Sequence, residues 1–188
     1  MAGAIRRQFD WYGSPGFTVD RLMDEIELPG ERWLEPSAGD GSIIRAASAR
    51  RNIRWTACEI QERFSPALNI LCDKVFIGDF LSIGFERFDC VLGNPPYSLS
   101  FEFVQKCLSL SDCVVFLLPL SFLASQKRCN FMRSRTPDVY ILPNRPSFGF
   151  DGGSTNMVDY AFYRWHGEKN RRVGTVRVLN TTPDYGRR

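Results

Sequence analysis

Metal-ligand spacing is missing from this sequence. It holds a single histidine, His166, and its six cysteines (Cys58, Cys72, Cys90, Cys107, Cys113 and Cys129) include no Cys-x-x-Cys pair. That excludes a zinc site of ordinary spacing. Cys58, Cys90 and Cys113 fall in strand-like apolar runs and read as small core residues, a reduced pattern that predicts a cytoplasmic protein. No long hydrophobic run is present either. The longest, Cys113 to Ala124, is interrupted by Pro119 and Ser121 and is too short to cross a bilayer, so no membrane is expected as a partner. Met1 to Asp10 lacks the apolar stretch of a signal peptide. Repeats, low-complexity tracts and linkers are also lacking. The charge imbalance is small, +3 over 188 residues, and names no partner by itself.

What is present is an ordinary composition, 44% hydrophobic and 24% charged, which excludes disorder and collagen-like repeats. A chain of this length predicts one domain, residues 1–188, that buries roughly two-thirds of its unfolded surface. Basic residues cluster. Arg45, Arg50, Arg51 and Arg54 stand together without an acid, and Lys127, Arg128, Arg133, Arg135 and Arg145 are opposed only by Asp138. Such patches suit a polyanionic partner, although any one of them alone is equally a solvated surface.

The hydrophobic pattern alternates strands with helices. A helix follows Thr18, carrying Leu22 and Ile26, and ends near Pro29-Gly30. Strands are expected at Trp33–Glu35, Arg54–Ile60, Val75–Ile77, Phe88–Leu92 and Val114–Leu118. Helices are expected at Ile43–Arg51, Glu62–Cys72, Phe101–Leu110 and Ser125–Arg135. Two more strands, Val139–Leu142 and Met157–Trp165, have no helix between them and are expected to pair antiparallel, with Gly174–Leu179 as an edge strand. The fold class is α/β: a doubly wound, mostly parallel sheet with an antiparallel strand near its C-terminus.

Asn94-Pro95-Pro96-Tyr97 follows the strand at Phe88–Leu92, where open α/β sheets place their ligands. Pro95 and Pro96 fix φ and donate no N–H, so carbonyls in the turn stay free to accept. Asn94 adds a side-chain carbonyl and Tyr97 a flat ring with a polar tip. Two acceptors and a ring can hold an exocyclic –NH₂ on a base. Alone, Asn-Pro-Pro is a capped turn; Tyr97 and the glycine loop make it a candidate site.

That loop, Glu35-Pro36-Ser37-Ala38-Gly39-Asp40-Gly41, joins the first strand to its helix. Its glycines permit close approach by a nucleotide, but the third glycine of a dinucleotide fingerprint is missing and position 44 is Ile. Glu35 and Asp40 place negative charge where a pyrophosphate would sit, which disfavours a dinucleotide and tolerates a cationic ligand such as a sulfonium. Glu59 lies 20 residues after Gly39, next to Ile60 at the end of the second strand. An acid there accepts from both ribose hydroxyls. Asp79 ends the third strand, placed to accept from an adenine amino group while Phe80 packs on its ring.

The Glu35–Gly41 loop followed by Asn94-Pro95-Pro96-Tyr97 resembles the S-adenosylmethionine-dependent DNA adenine-N6 methyltransferases, in the gamma order of motifs. The resemblance covers roughly Tyr12 to Trp165, and Arg145-Pro146-Ser147-Phe148 with Asp159-Tyr160-Ala161-Phe162 is similar to small phage-type members. It implies a class I methyltransferase fold and S-adenosylmethionine as cofactor. Glu35, Pro36, Ser37, Gly39, Gly41, Glu59, Ile60, Asp79, Phe80 and Asn94 would line the cofactor site. Asn94, Pro95, Pro96 and Tyr97 would hold the flipped adenine, and Phe148, with Phe150 as runner-up, would stack on it. Lys127, Arg128, Arg133 and Arg135 would contact DNA phosphates. Phe17 and Thr18 belong to a segment that only loosely matches the family's methionine-contacting motif. Larger members of the family, as in restriction–modification, carry a separate target-recognition domain after the catalytic core, for which this chain is expected to be too short; a longer DNA site would need a second copy or a partner specificity subunit. Acceptance of both amine hydrogens, by the Asn94 side chain and the Pro95 carbonyl, would turn the nitrogen lone pair toward the methyl group. The same motif serves rRNA and protein-glutamine methyltransferases, which are the alternatives, along with a non-catalytic nucleic-acid-binding module of the same fold.

Overall fold

The computed structural model describes residues 16–143, 158–168 and 174–181. Phe148, Phe150, Arg145 and Tyr12 to Pro15 lie outside them.

Among the described residues, eight strands form one sheet. In chain order the elements are α1 (Gly16–Glu25), β1 (Arg32–Glu35), α2 (Ser42–Ser48), β2 (Arg54–Glu59), α3 (Ser65–Leu71), β3 (Lys74–Ile77), β4 (Cys90–Gly93), α4 (Ser100–Leu110), β5 (Cys113–Pro119), α5 (Cys129–Ser134), β6 (Asp138–Ile141), β7 (Tyr160–His166) and β8 (Val176–Val178). The sheet order is β3-β2-β1-β4-β5-β7-β6-β8. The strands from β3 to β5 run parallel. β7 is antiparallel to both its neighbours, and β8 pairs parallel to β6. The strands follow one another along the chain as expected and β6 pairs antiparallel with β7 as expected, while β7 stands between β5 and β6.

Central strands bury both faces, and alternate residues enter separate cores. Trp33, Leu92, Val115 and Phe162 face one core, closed by Val19 and Leu22 of α1, Ile43, Ile44 and Ala47 of α2 and Leu68 of α3. Leu34, Val91, Val114, Phe116 and Tyr163 face the other, closed by Phe103, Val104 and Cys107 of α4. Period-2 alternation with helices on both faces is the physical content of a doubly wound sheet. Fully burying each large apolar side chain contributes about 1.5–3 kcal/mol.

Two helices are shorter than the sequence pattern suggests. The basic segment begins with a 3₁₀ turn at Gln126–Arg128 before α5, and α3 is preceded by a 3₁₀ turn at Glu62–Phe64. Pro66 sits in the first turn of α3, a position that tolerates its missing N–H. Among the described residues, no helix is long and apolar enough to cross a membrane.

Candidate functional site

The strand order reverses between β1 and β4. β2 and β3 lie to one side of β1, and β5 lies beyond β4. A crevice opens at such a switch point, outside the carboxyl ends of the strands. The two motifs leave the sheet there. The glycine loop follows β1 and Asn94-Pro95-Pro96-Tyr97 follows β4.

The loops touch. The Ser37 hydroxyl donates to the Asn94 backbone carbonyl at 3.2 Å. Gly93 makes the approach possible: a Cβ there would lie 3.1 Å from Pro36 Cδ and 3.7 Å from Glu35 Cγ. The other wall is tied to β2. Ala38 N–H donates to the Cys58 carbonyl at 2.9 Å. Glu59 accepts from Gly39 N–H through one oxygen at 2.7 Å and from Gln61 N–H through the other at 2.8 Å. Gly41 enters α2 with φ 77°, a left-handed backbone that favours glycine, and a Cβ there would lie 2.7 Å from the Leu71 Cδ1 methyl.

Glu35 is 2% exposed and Glu59 5% exposed. Glu35 Oε2 has no hydrogen-bond partner among the described residues. Burial pushes the Glu35 carboxyl well above the usual carboxylate range, and Asp40 and Glu59 add to the rise while Arg45 opposes it. Arg45 is also engaged, donating to the Asp40 carbonyl at 2.7 Å and pairing with its carboxylate at 3.4 Å. A buried carboxyl with an unpaired oxygen, ringed by two further acids, suits a ligand that brings positive charge and hydrogen-bond donors. It disfavours a pyrophosphate.

Asp79 is exposed just beyond β3. Its carboxylate accepts from Ser82 Oγ at 2.7 Å and from Leu81 N–H at 2.9 Å. These bonds hold it below its ordinary pKa, the Ser82 bond contributing most. Ile60 is half exposed at the same edge. Phe80 departs from expectation. Its ring is 2% exposed and packs on Phe103 at 4.9 Å and Phe85 at 5.5 Å, so its faces are covered by protein rather than offered to a ligand.

Pro95 is buried, while Asn94, Pro96 and Tyr97 are partly exposed. Tyr97 opens a 3₁₀ turn leading into α4. The Tyr97 carbonyl accepts from Ser100 Oγ at 2.9 Å, and its ring lies 5.8 Å from that of Tyr160. Tyr160 thus supports Tyr97 from β7. Only the pairing of β5 with β7 brings it there.

The four basic residues separate into two kinds. Arg128 donates to the Phe122 carbonyl at 3.0 Å and lies 4.3 Å over the Phe122 ring. Arg135 pairs with Glu168. Lys127 and Arg133 are exposed. The Arg45–Arg54 cluster is similarly spoken for: Arg45 pairs with Asp40, Arg50 with Asp24 and Arg54 with Glu31. Phe17 is 37% exposed on α1, and Thr18 is buried.

Lys106 of α4 is a site-supporting residue absent from the sequence reading. Its ammonium donates to the carbonyls of Phe80, Leu81 and Ile83 in the loop after Asp79. One lysine on an amphipathic helix carries no signal in sequence, because such residues are usually solvated.

No protein-family model matches the chain. Two curated archaeal proteins, each named "Probable ribosomal RNA small subunit methyltransferase A", resemble it. The one from Methanosarcina mazei is 35% identical over 99 residues, covering 48% of this chain and 35% of its own length. The one from Methanosarcina acetivorans is 35% identical over 96 residues, with the same coverage. The similarity thus spans about a third of these relatives. Among solved structures, a protein from Listeria monocytogenes assigned to the class I S-adenosylmethionine-dependent methyltransferases superposes with a TM-score of 0.66 at 11% identity, over 90% of this chain and 65% of that one. The 23S rRNA methyltransferase ErmE superposes with a TM-score of 0.61 at 22% identity, over 85% and 69%. A dimethyladenosine transferase from Plasmodium falciparum gives 0.60 at 19%, over 84% and 63%. The chain has the Rossmann-like class I methyltransferase fold.

Proposed function

We propose that this protein is an S-adenosylmethionine-dependent methyltransferase that modifies the exocyclic amino group of an adenine in ribosomal RNA. The observation that carries the reading is the contact of the two loops at the β1/β4 switch point. It joins an acid-lined cradle to a turn rich in acceptors. The 35% identity to proteins named as ribosomal RNA methyltransferases supports RNA as the acceptor.

The bound cofactor supplies an electrophilic methyl group on a sulfonium. The chain's own residues do the rest. Asp40 and Glu59 supply negative charge around a cationic ligand, and Glu35 offers it a buried carboxyl oxygen without a partner among the described residues. Each Glu59 oxygen already takes one backbone N–H and keeps acceptor capacity for a ribose hydroxyl. Asp79 accepts from the cofactor's adenine amino group, and Ile60 packs beside it. At the acceptor side, the Asn94 side-chain carbonyl and the Pro95 carbonyl take the two hydrogens of the target amine. An adenine amino nitrogen is a poor nucleophile while its lone pair is delocalised into the ring. Fixing both hydrogens favours a pyramidal nitrogen with its lone pair in line with the methyl group, so catalysis is largely positioning and preorganised electrostatics. Tyr97 stacks on the base, a contact worth about 1–3 kcal/mol in single-strand readers.

A second reading is DNA adenine. It is favoured by the likeness of Asn94–Tyr97, Arg145–Phe148 and Asp159–Phe162 to small phage-type enzymes. Incubation with labelled S-adenosylmethionine and small-subunit rRNA, DNA or protein, followed by nucleoside and amino-acid analysis, decides. Label in an N6-methylated adenosine of rRNA is the expected result. Label in deoxyadenosine transfers the reading to DNA, and label in glutamine to protein. Tight cofactor binding with no transfer to any acceptor indicates a non-catalytic module.

A further inference from the structure

Lys106 sits on α4, the helix that the Asn94–Tyr97 turn leads into. Its ammonium reaches across to the loop following β3. Three carbonyls of that loop, Phe80, Leu81 and Ile83, accept from it. It also lies 4.7 Å from the centroid of the Phe80 ring and 5.6 Å from that of Phe85. An ammonium has three donors, and three carbonyls of this one turn account for them. The same short loop holds Asp79. Leu81 donates its N–H to one Asp79 oxygen and Ser82 its hydroxyl to the other. Leu81 is therefore clamped twice, by its carbonyl on Lys106 and by its N–H on Asp79.

We propose that Lys106 is a positioning residue that sets the nucleobase specificity of the cofactor site, by fixing the loop that aims the Asp79 carboxylate. This rests on the proposed function, in which Asp79 faces the cofactor's 6-amino group. A carboxylate held in one orientation accepts from an amino group and repels the carbonyl oxygen that inosine carries at the same position. A carboxylate on a loose loop turns to water and loses that discrimination. Specificity from a polar group depends on its being fixed. Lys106 reaches no reacting atom, so its loss is expected in cofactor selectivity rather than in the methyl-transfer step. Because α4 starts at the acceptor turn, the same side chain ties the two halves of the site to one helix.

The test compares binding of S-adenosylhomocysteine and S-inosylhomocysteine by calorimetry in wild type, Lys106→Met and Asp79→Ala. Wild type is expected to prefer the adenine compound by about tenfold or more, as for a charged hydrogen bond. Lys106→Met, which keeps an apolar stem over the rings, is expected to bring the ratio to within about threefold. It should approach Asp79→Ala, and adding Lys106→Met to Asp79→Ala should change the ratio no further. A general structural role would weaken both compounds alike and leave the ratio unchanged. An unchanged ratio in folded Lys106→Met overturns the inference. Should that variant not fold, Lys106→Gln replaces it, with a smaller fall in the ratio expected and an unchanged ratio again fatal. A wild type that binds the adenine compound without discriminating overturns this inference and leaves the methyltransferase reading standing. A wild type that binds neither it nor S-adenosylmethionine removes that reading itself.

Discussion

Glu59 holds its own protein before it holds any ligand. Its two oxygens fasten Gly39 and Gln61, which flank the proposed ribose position. Glu59→Ala therefore removes a ligand contact and loosens the cradle at once. Cofactor affinity should fall by about 1–3 kcal/mol, the cost of losing a charged hydrogen bond, and calorimetry on the folded variant measures it; wild-type affinity would exclude the ribose role. Asn94 is different in kind. Its backbone carbonyl anchors Ser37, and its proposed side-chain role is expressed in the transition state. Asn94→Ala keeps the backbone contact. It should lower kcat far more than it weakens cofactor binding, and turnover near wild type in steady-state assays would remove the amino-methylation mechanism.

At the scale of elements, the basic segment around α5 divides by what its side chains touch. Arg128 covers Phe122 and Arg135 meets Glu168, while Lys127 and Arg133 stand exposed. Phosphate contacts release counterions, with a slope in log affinity against log salt of about 0.7 per contact for single strands. Lys127→Ala with Arg133→Ala should flatten the salt dependence of RNA binding by about 1.4 and leave cofactor affinity alone. Arg128→Ala should instead lower thermal stability, because its stem and guanidinium pack on a buried ring. A salt slope that survives the double substitution, read by fluorescence anisotropy, would move the nucleic-acid face elsewhere.

At the scale of the whole molecule, the switch point concentrates buried acids that no cation among the described residues fully balances. The folded Glu35 carboxyl titrates above its unfolded value of about 4.3. Between those two values the folded state binds more protons than the unfolded state. Stability is thus fully present below the unfolded value and is lost as pH rises through the folded one. Ligand-free wild type should lose Tm relative to Glu35→Gln as pH rises above the unfolded carboxyl value of about 4.3. Thermal unfolding of both proteins across that range checks it, and parallel curves would show that burial does not govern this carboxyl.

The sequence by itself determined the strand and helix order, the two loops and the mostly parallel sheet. Those follow from local periodicity, from prolines that fix φ and from glycines that permit close approach, and each acts over a few residues. It also placed Glu35, Glu59 and Asp79 at strand ends, since an acid just after an apolar run has little alternative. The tertiary structure alone decided what those ends do to one another. Ser37 meets Asn94 because β1 and β4 are neighbours, a pairing across 57 residues that no window of sequence contains. Phe80 turns into the core because Phe85 and Phe103 form an apolar cavity for it. Tyr160 supports Tyr97 because β7 inserts antiparallel beside β5. Lys106 finds three carbonyls because α4 crosses behind the loop after β3. Long-range contacts select among side-chain orientations that local propensity leaves open, and a candidate site made of five loops and helices is assembled only by those contacts.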